Sequence, residues 1–160
     1  MLRKRILAEH PAEPVPTLDL WDIPSVATVL VTSEASAHPV DHLFDTSGGP
    51  GGSRWVAGTD GEQTLILAFD RPQALRQVGI EAEERDRGRT QVVALALSDD
   101  GGRTYRERIR QEFNFSPSGA TFERETWAVP ADHVTHLRLT VRPDKGDGPG
   151  RASLTALTLR

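Results

Sequence analysis

The sequence predicts an all-β protein, an eight-stranded antiparallel β-sandwich, and three observations carry that prediction. Apolar and polar residues alternate in short stretches of the kind that half-bury a strand. Glycine- and proline-rich turns punctuate them at intervals of roughly 10 to 18 residues, as in sandwiches and barrels. No segment longer than a turn carries the periodicity of an amphipathic helix.

Bulk properties set the frame. A chain of 160 residues is one domain long, and folding at that size buries roughly two thirds of the unfolded surface. There are no cysteines, so disulfides, thiolate metal sites and cysteine nucleophiles are excluded and packing must supply the stability. Net charge is -4, and no basic stripe offers a phosphate-neutralising face, so nucleic acid is not an expected partner. The cations are lopsided, 17 arginines against Lys4 and Lys145. Arginine's planar fork suits recognition, although solvated strand faces use it equally well.

The elements follow in order. Residues 1–17 combine Arg3, Lys4 and Arg5 with Pro11, Pro14 and Pro16, which fits an extended arm and neither helix nor central strand. Only Ile6, Leu7 and Ala8 follow the early charges before Glu9, too few for an export signal, and nothing approaches a membrane span of about 20 apolar residues. A cytoplasmic protein without membrane contact is expected. Residues 18–160 form the single sandwich domain, with Leu18, Leu20, Trp21 and Ile23 clipping the arm to it.

VATVLVT (26–32) is β-branched and reads as a strand buried on nearly both faces. Pro39 opens a short helical turn with Val40, Leu43 and Phe44 inward. DTSGGPGGSR cannot be regular structure, and Trp55 beyond it is a candidate for the core. Residues 63–69 form a strand with Leu65, Leu67 and Phe69 on one side, DRPQAL a turn, and 77–82 the next strand. A charged loop, 83–89, leads into 90–98, apolar on both faces and therefore central. SDDGGRTY is an Asp-Gly hairpin turn. Then 105–115 places Ile109, Gln111, Phe113 and Phe115 together. Two strands follow at 120–129 and 134–141, with PADH breaking the chain between them, and 153–160 closes it.

This order of elements resembles the discoidin, factor V/VIII type C-like family of galactose-binding-domain-like jelly rolls. The resemblance rests on LFD after an early strand, a tryptophan in SRW, LILAFDRPQAL, QVGIEA, the SDDGGRTY hairpin, HLRLTV and the closing ASLTALTL. It covers about four fifths of the chain. It implies a binding module whose loops at one end take a carbohydrate or another small polar ligand. A similar fold in a DNA-repair scaffold binds proteins, so fold alone does not fix the partner.

The resemblance also implies where ligands would bind. Loops 48–54, 83–89 and 115–121 supply the candidates Arg54, Arg85, Arg87, Arg89 and Phe115. Arginines beside Glu83, Glu84 and Asp86 suit sugar hydroxyls or a partner's carboxylates, and also suit a solvated salt-bridged loop. Family members with calcium hold it by backbone carbonyls, an Asp after the first strand and a carboxylate on the last. Asp45 matches that Asp, but Thr46 stands where glycine is usual and Ala156 where the carboxylate lies. Calcium takes about six to eight oxygens, so the expectation is no cofactor, with calcium at Asp45 as the alternative.

His38 and His42 have metal-pair spacing but lie on only a short turn, without the intervening Glu of a zinc protease. Catalysis has no motif behind it: there is no G-x-S-x-G, and GGPGG lacks the lysine of a phosphate loop. The leading expectation is a non-catalytic module binding carbohydrate. An intracellular protein-interaction module is the alternative, and an enzyme built on a jelly roll is third.

Overall fold

A computed structural model of the chain describes residues 20–146 and 149–160. The arm expected at 1–17, and Leu18 beyond it, lie outside the described residues. One helical turn, Ile23–Val26, precedes strand β1 (Ala27–Val31), and a 3-10 turn spans Val40–Phe44. The other strands are β2 (Trp55–Val56), β3 (Gln63–Glu83), β4 (Arg89–Ser98), β5 (Arg106–Phe115), β6 (Phe122–Arg142), β7 (Ser153–Leu154) and β8 (Ala156–Leu159). No helix among the described residues is long and apolar enough to cross a membrane.

Two long strands make the sandwich. β3 and β6 pair antiparallel along their whole lengths, from Gln63 opposite Val141 to Glu83 opposite Phe122. The register slips between Ala68 and Gln77, and His133 opposite this zone adopts φ 55°, a left-handed conformation uncommon outside glycine. Bulges sharpen strand bending, so the sheet folds over at this line. On one side lies a layer in the order β1, β3, β6, β4, β5. On the other, the far halves of β6 and β3 continue with β8. DRPQAL and PADH, expected to end strands, are corners within continuous strands.

Among the described residues the expected total of eight strands is met with a different division. Two expected pairs are fused into β3 and β6, β2 is an addition, and the closing strand is split at Thr155 into β7 and β8. β7 turns aside to pair with β2, setting Leu154 opposite Trp55.

The facing layers bury one core. Leu65, Leu67, Leu95, Leu137, Leu139 and Val141 from the larger layer meet Val78, Ile80, Leu157 and Leu159 from the smaller. Phe113 joins them, and Trp55 is wholly buried, its indole N–H donating to the Ser33 carbonyl at 3.0 Å. β4 is buried along its length, as its apolar faces require. β1 differs from expectation. Among the described residues it pairs with β3 alone, its residues alternate between half-buried and exposed, and Leu30 is 51% exposed, so it is an edge strand there rather than one covered on both faces.

Candidate functional site

The three loops singled out from the sequence do converge. The 48–54 loop approaches the end of β3, where the Gly51 N–H donates to Glu83 Oε2 at 2.8 Å. Two residues earlier on the same strand, Glu81 Oε2 accepts from the Gly49 N–H, also at 2.8 Å. Residues two apart on a strand share a face, so Glu81 and Glu83 grip alternate glycines. Gly49 and Gly51 sit at φ 99° and 79°, where other residues are strained. Each carboxylate is held in turn by an arginine: Arg124 Nε lies 2.6 Å from Glu81 Oε1, and Arg85 Nε 2.6 Å from Glu83 Oε1. The third loop joins through the Glu84 N–H, which donates to the Thr121 carbonyl at 2.8 Å.

The expected ligand-contacting residues fall into three settings. Arg85 and Arg87 stand at the surface, their side chains 59% and 46% exposed, each beside a glutamate. Arg54 is half-buried, and its carbonyl faces His42 Nδ1 at 2.8 Å. Arg89 and Phe115 lie inside. Arg89 donates to the Arg151 carbonyl at 2.7 Å and to Ser153 Oγ at 3.0 Å. Its Nε lies 3.2 Å from Glu84 Oε1, in ion-pair range but out of hydrogen-bond alignment. Burial pushes the guanidinium below its ordinary pKa, and Glu84 partly offsets that. Phe115 is 5% exposed and stacked on Phe113, because strand alternation sends both rings inward. These two brace the site from within and offer a ligand little surface.

Asp45 staples the glycine-rich loop. One oxygen accepts from the Ser47 N–H at 3.0 Å and the other from the Ser53 hydroxyl. Burial raises its pKa, but the hydrogen bonds from Ser47 and Ser53 outweigh this and leave it lowered. Thr46 takes φ 63°, so the backbone keeps the glycine-like conformation without the glycine. As a calcium site the donor set is poor. Both Asp45 oxygens are engaged, Ala156 brings no carboxylate, and no cluster of three or more His, Cys, Asp or Glu suited to a metal occurs among the described residues. A cation needing several charged oxygens does not fit it. His38 and His42 stand edge to face with centroids 6.4 Å apart.

Sequence reasoning missed a cleft of about 600 Å³ on the other flank of the glycine-rich loop. Trp21, Ile23 and Phe44 line it together with Gly79, Thr126 and Thr158 on the outer face of the smaller layer. Glu81 and Arg124 also line it, so one ion pair both tethers the loop and edges the cleft. The lining comes from segments scattered over the whole chain, and no local pattern announces it.

No family model matches the chain, and no curated protein matches it. Solved structures do match in fold. A family 32 carbohydrate-binding module from C. perfringens NanJ, solved in complex with galactose, superposes with TM-score 0.60 at 15% identity over 88% of this chain and 96% of that one. A pectin-binding carbohydrate-binding module gives 0.59 at 16% over 84% and 90%. The C-terminal domain of a chitobiase from Bacteroides fragilis gives 0.61 at 17% over 89% and 97%. The likeness is one of fold, and the fold is the galactose-binding-like jelly roll.

Proposed function

We propose that the chain is a non-catalytic, discoidin-like binding module that recognises a carbohydrate through the loops at one end of its sandwich. The observation that supports this most is the convergence of loops 48–54, 83–89 and 115–121, with Arg85 and Arg87 exposed on a rigid, clamped base. Structures of the same fold are described in complex with galactose and with GalNAc. Arginine donors held by glutamates present fixed hydrogen bonds to hydroxyls, and holding them beforehand lowers the ordering cost of binding.

A glycan array followed by calorimetric titration of each hit tests this. Binding at millimolar or tighter affinity is expected, weakened about tenfold in the Arg85→Ala/Arg87→Ala double variant. A blank array at millimolar sugar, with and without calcium, contradicts it.

One observation favours a protein partner instead. Among the described residues of these loops no aromatic ring is exposed, since Phe115 is buried and Phe122 is half-buried with Arg124 5.6 Å above its ring. Arginine and glutamate without an aromatic platform suit an acidic protein surface. A stoichiometric partner that is recovered by the native chain and lost in the same double variant supports that reading.

A further inference from the structure

The loop end offers charge but no aromatic surface, whereas the cleft behind the glycine-rich loop offers both apolar rings and polar groups. We infer that this cleft is the place where a neutral pyranose ring is held, with the arginine loops contacting only what projects from it. This rests on the carbohydrate reading above and moves the seat of the ring from the loops to the cleft beside them.

Three features support the assignment. The volume, about 600 Å³, lies within the roughly 300–1,000 Å³ typical of small-molecule sites, and the lining is mainly apolar with a few convergent polar groups, as such sites require. Trp21 is fixed in place. Its backbone N–H donates to the Leu159 carbonyl at 3.0 Å, and its ring meets Phe69 edge to face at 5.8 Å, so a sugar's apolar face finds a surface already ordered.

The smaller layer also presents hydroxyls to the ligand. Gly79 lies within β3, where glycine weakens a strand, and a Cβ there would collide with the Thr158 hydroxyl. The absent side chain lets that hydroxyl lie over the strand beside Thr126 on the cleft lining. Thr155, which also lines the cleft, is 2% exposed, and its hydroxyl has no hydrogen-bond partner among the described residues.

The charges choose the sugar class. The charged side chains of the lining are Asp22, Asp45, Glu81, Arg124 and Arg160, beside His42, and Arg124 is bound to Glu81 at 2.6 Å, so acidic groups outnumber arginines and the cleft favours hydroxyls over a carboxylate. Neutral hexoses and N-acetylhexosamines fit that chemistry, and uronic acids do not.

NMR titration of the full, ¹⁵N-labelled chain with galactose, glucose, N-acetylgalactosamine and glucuronate tests the inference. A neutral sugar should shift the Trp21 indole N–H and the Gly79, Thr126 and Thr158 amides. Trp21→Ala should weaken that binding about tenfold. Thr158→Val, which keeps the shape, should weaken it severalfold should Trp21→Ala fail to fold. Arg110→Ala, at an exposed ion pair with Glu107 on β5 outside both the cleft and the three loops, should leave the cleft shifts in place. Shifts confined to the amides of 49–52 and 84–89 overturn the cleft assignment while sustaining the carbohydrate reading. Glucuronate binding in the cleft more tightly than the neutral sugars overturns the stated ligand class. Absence of shifts with every sugar overturns the cleft and counts against the carbohydrate reading as well.

Discussion

The glycine-rich loop and the hairpin turn between β4 and β5 are both irregular, both glycine-rich, and both held by carboxylates that accept backbone N–H groups. They differ in where the carboxylate comes from. In the hairpin, Asp100 Oδ1 accepts from Ser98 Oγ at 2.7 Å, the Thr104 N–H at 3.0 Å and the Arg103 N–H at 3.1 Å, while Oδ2 takes the Thr104 hydroxyl at 2.5 Å. Every partner of Asp100 lies within four residues, and the turn also makes a bond at a distance, the Gly101 N–H to Thr135 Oγ1 at 3.0 Å. The glycine-rich loop has a local staple in Asp45, but its glycines are gripped by Glu81 and Glu83, 32 residues along the chain. A local turn is written in its own sequence, whereas a loop held from a distance takes its shape from the fold that brings the distant strand beside it.

The sharpest way to break that comparison is at Arg89, which links the far loop to the body of the domain. Arg89→Ala removes a buried cation and leaves Glu84 with only its partly exposed Arg87 partner. Loss of one member of a buried pair costs about 3–5 kcal/mol, so urea denaturation should show a drop of that size. A change below 1 kcal/mol, on the order of a surface pair, would place Arg89 among solvated residues.

Glu83→Ala comes next. It deprives the Gly51 N–H of a charged acceptor, and hydrogen bonds to charged groups contribute about 1.5–3 kcal/mol. Thermal unfolding should register that loss, and amide shifts should spread over 48–54 while 98–104 stays unchanged. Shifts in both regions would mean that the two are not independent.

Acidification should separate the two regions without mutation. The Thr104 hydroxyl and N–H, with help from Ser98, hold Asp100 well below the ordinary carboxylate range, and Asp45 is lowered less. A carboxylate with a depressed folded pKa contributes stability that is complete above its unfolded value, near 4 for Asp, and is lost as pH falls through the folded one. The Asp45 staple should therefore loosen at a higher pH than the hairpin, as chemical shifts of 45–53 and 98–104 followed downward from pH 5 would show. The reverse order would contradict the assignment of these hydrogen bonds. The smallest effect is expected from Thr46→Gly, which relieves a left-handed conformation costing a side chain about 1–2 kcal/mol but adds chain entropy to the unfolded state. A net gain of about 0.5 kcal/mol is expected, measurable as a slightly raised midpoint in urea.

The same distinction explains what the sequence revealed. Alternation set Leu67 and Phe113 on the inward sides of their strands, and both are in the one interior, because the period of a strand is a local property. Trp55 was legible as core from its place in the resemblance, as the tryptophan of SRW after the glycine-rich segment, although the strand it opens was not expected. The corners at DRPQAL and PADH were legible only as interruptions. Proline marks a break, but whether the chain leaves the sheet or bends within it depends on the partner strand bending at the same place. Arg89 and Phe115 were misplaced because a loop's last residue and a strand's first or last differ by one position, and that position decides between solvent and core. The clamp and the cleft left no local trace, since each joins residues from separate parts of the chain.

Amide hydrogen exchange at Gly49 and Gly51 tests the distant clamp most directly. Both should be protected in the native chain and lose protection in Glu81→Ala and Glu83→Ala respectively, while Gly102, bonded to Ser98 Oγ at 3.0 Å, keeps its own. Gly49 and Gly51 exchanging at unprotected rates in the native chain would contradict it.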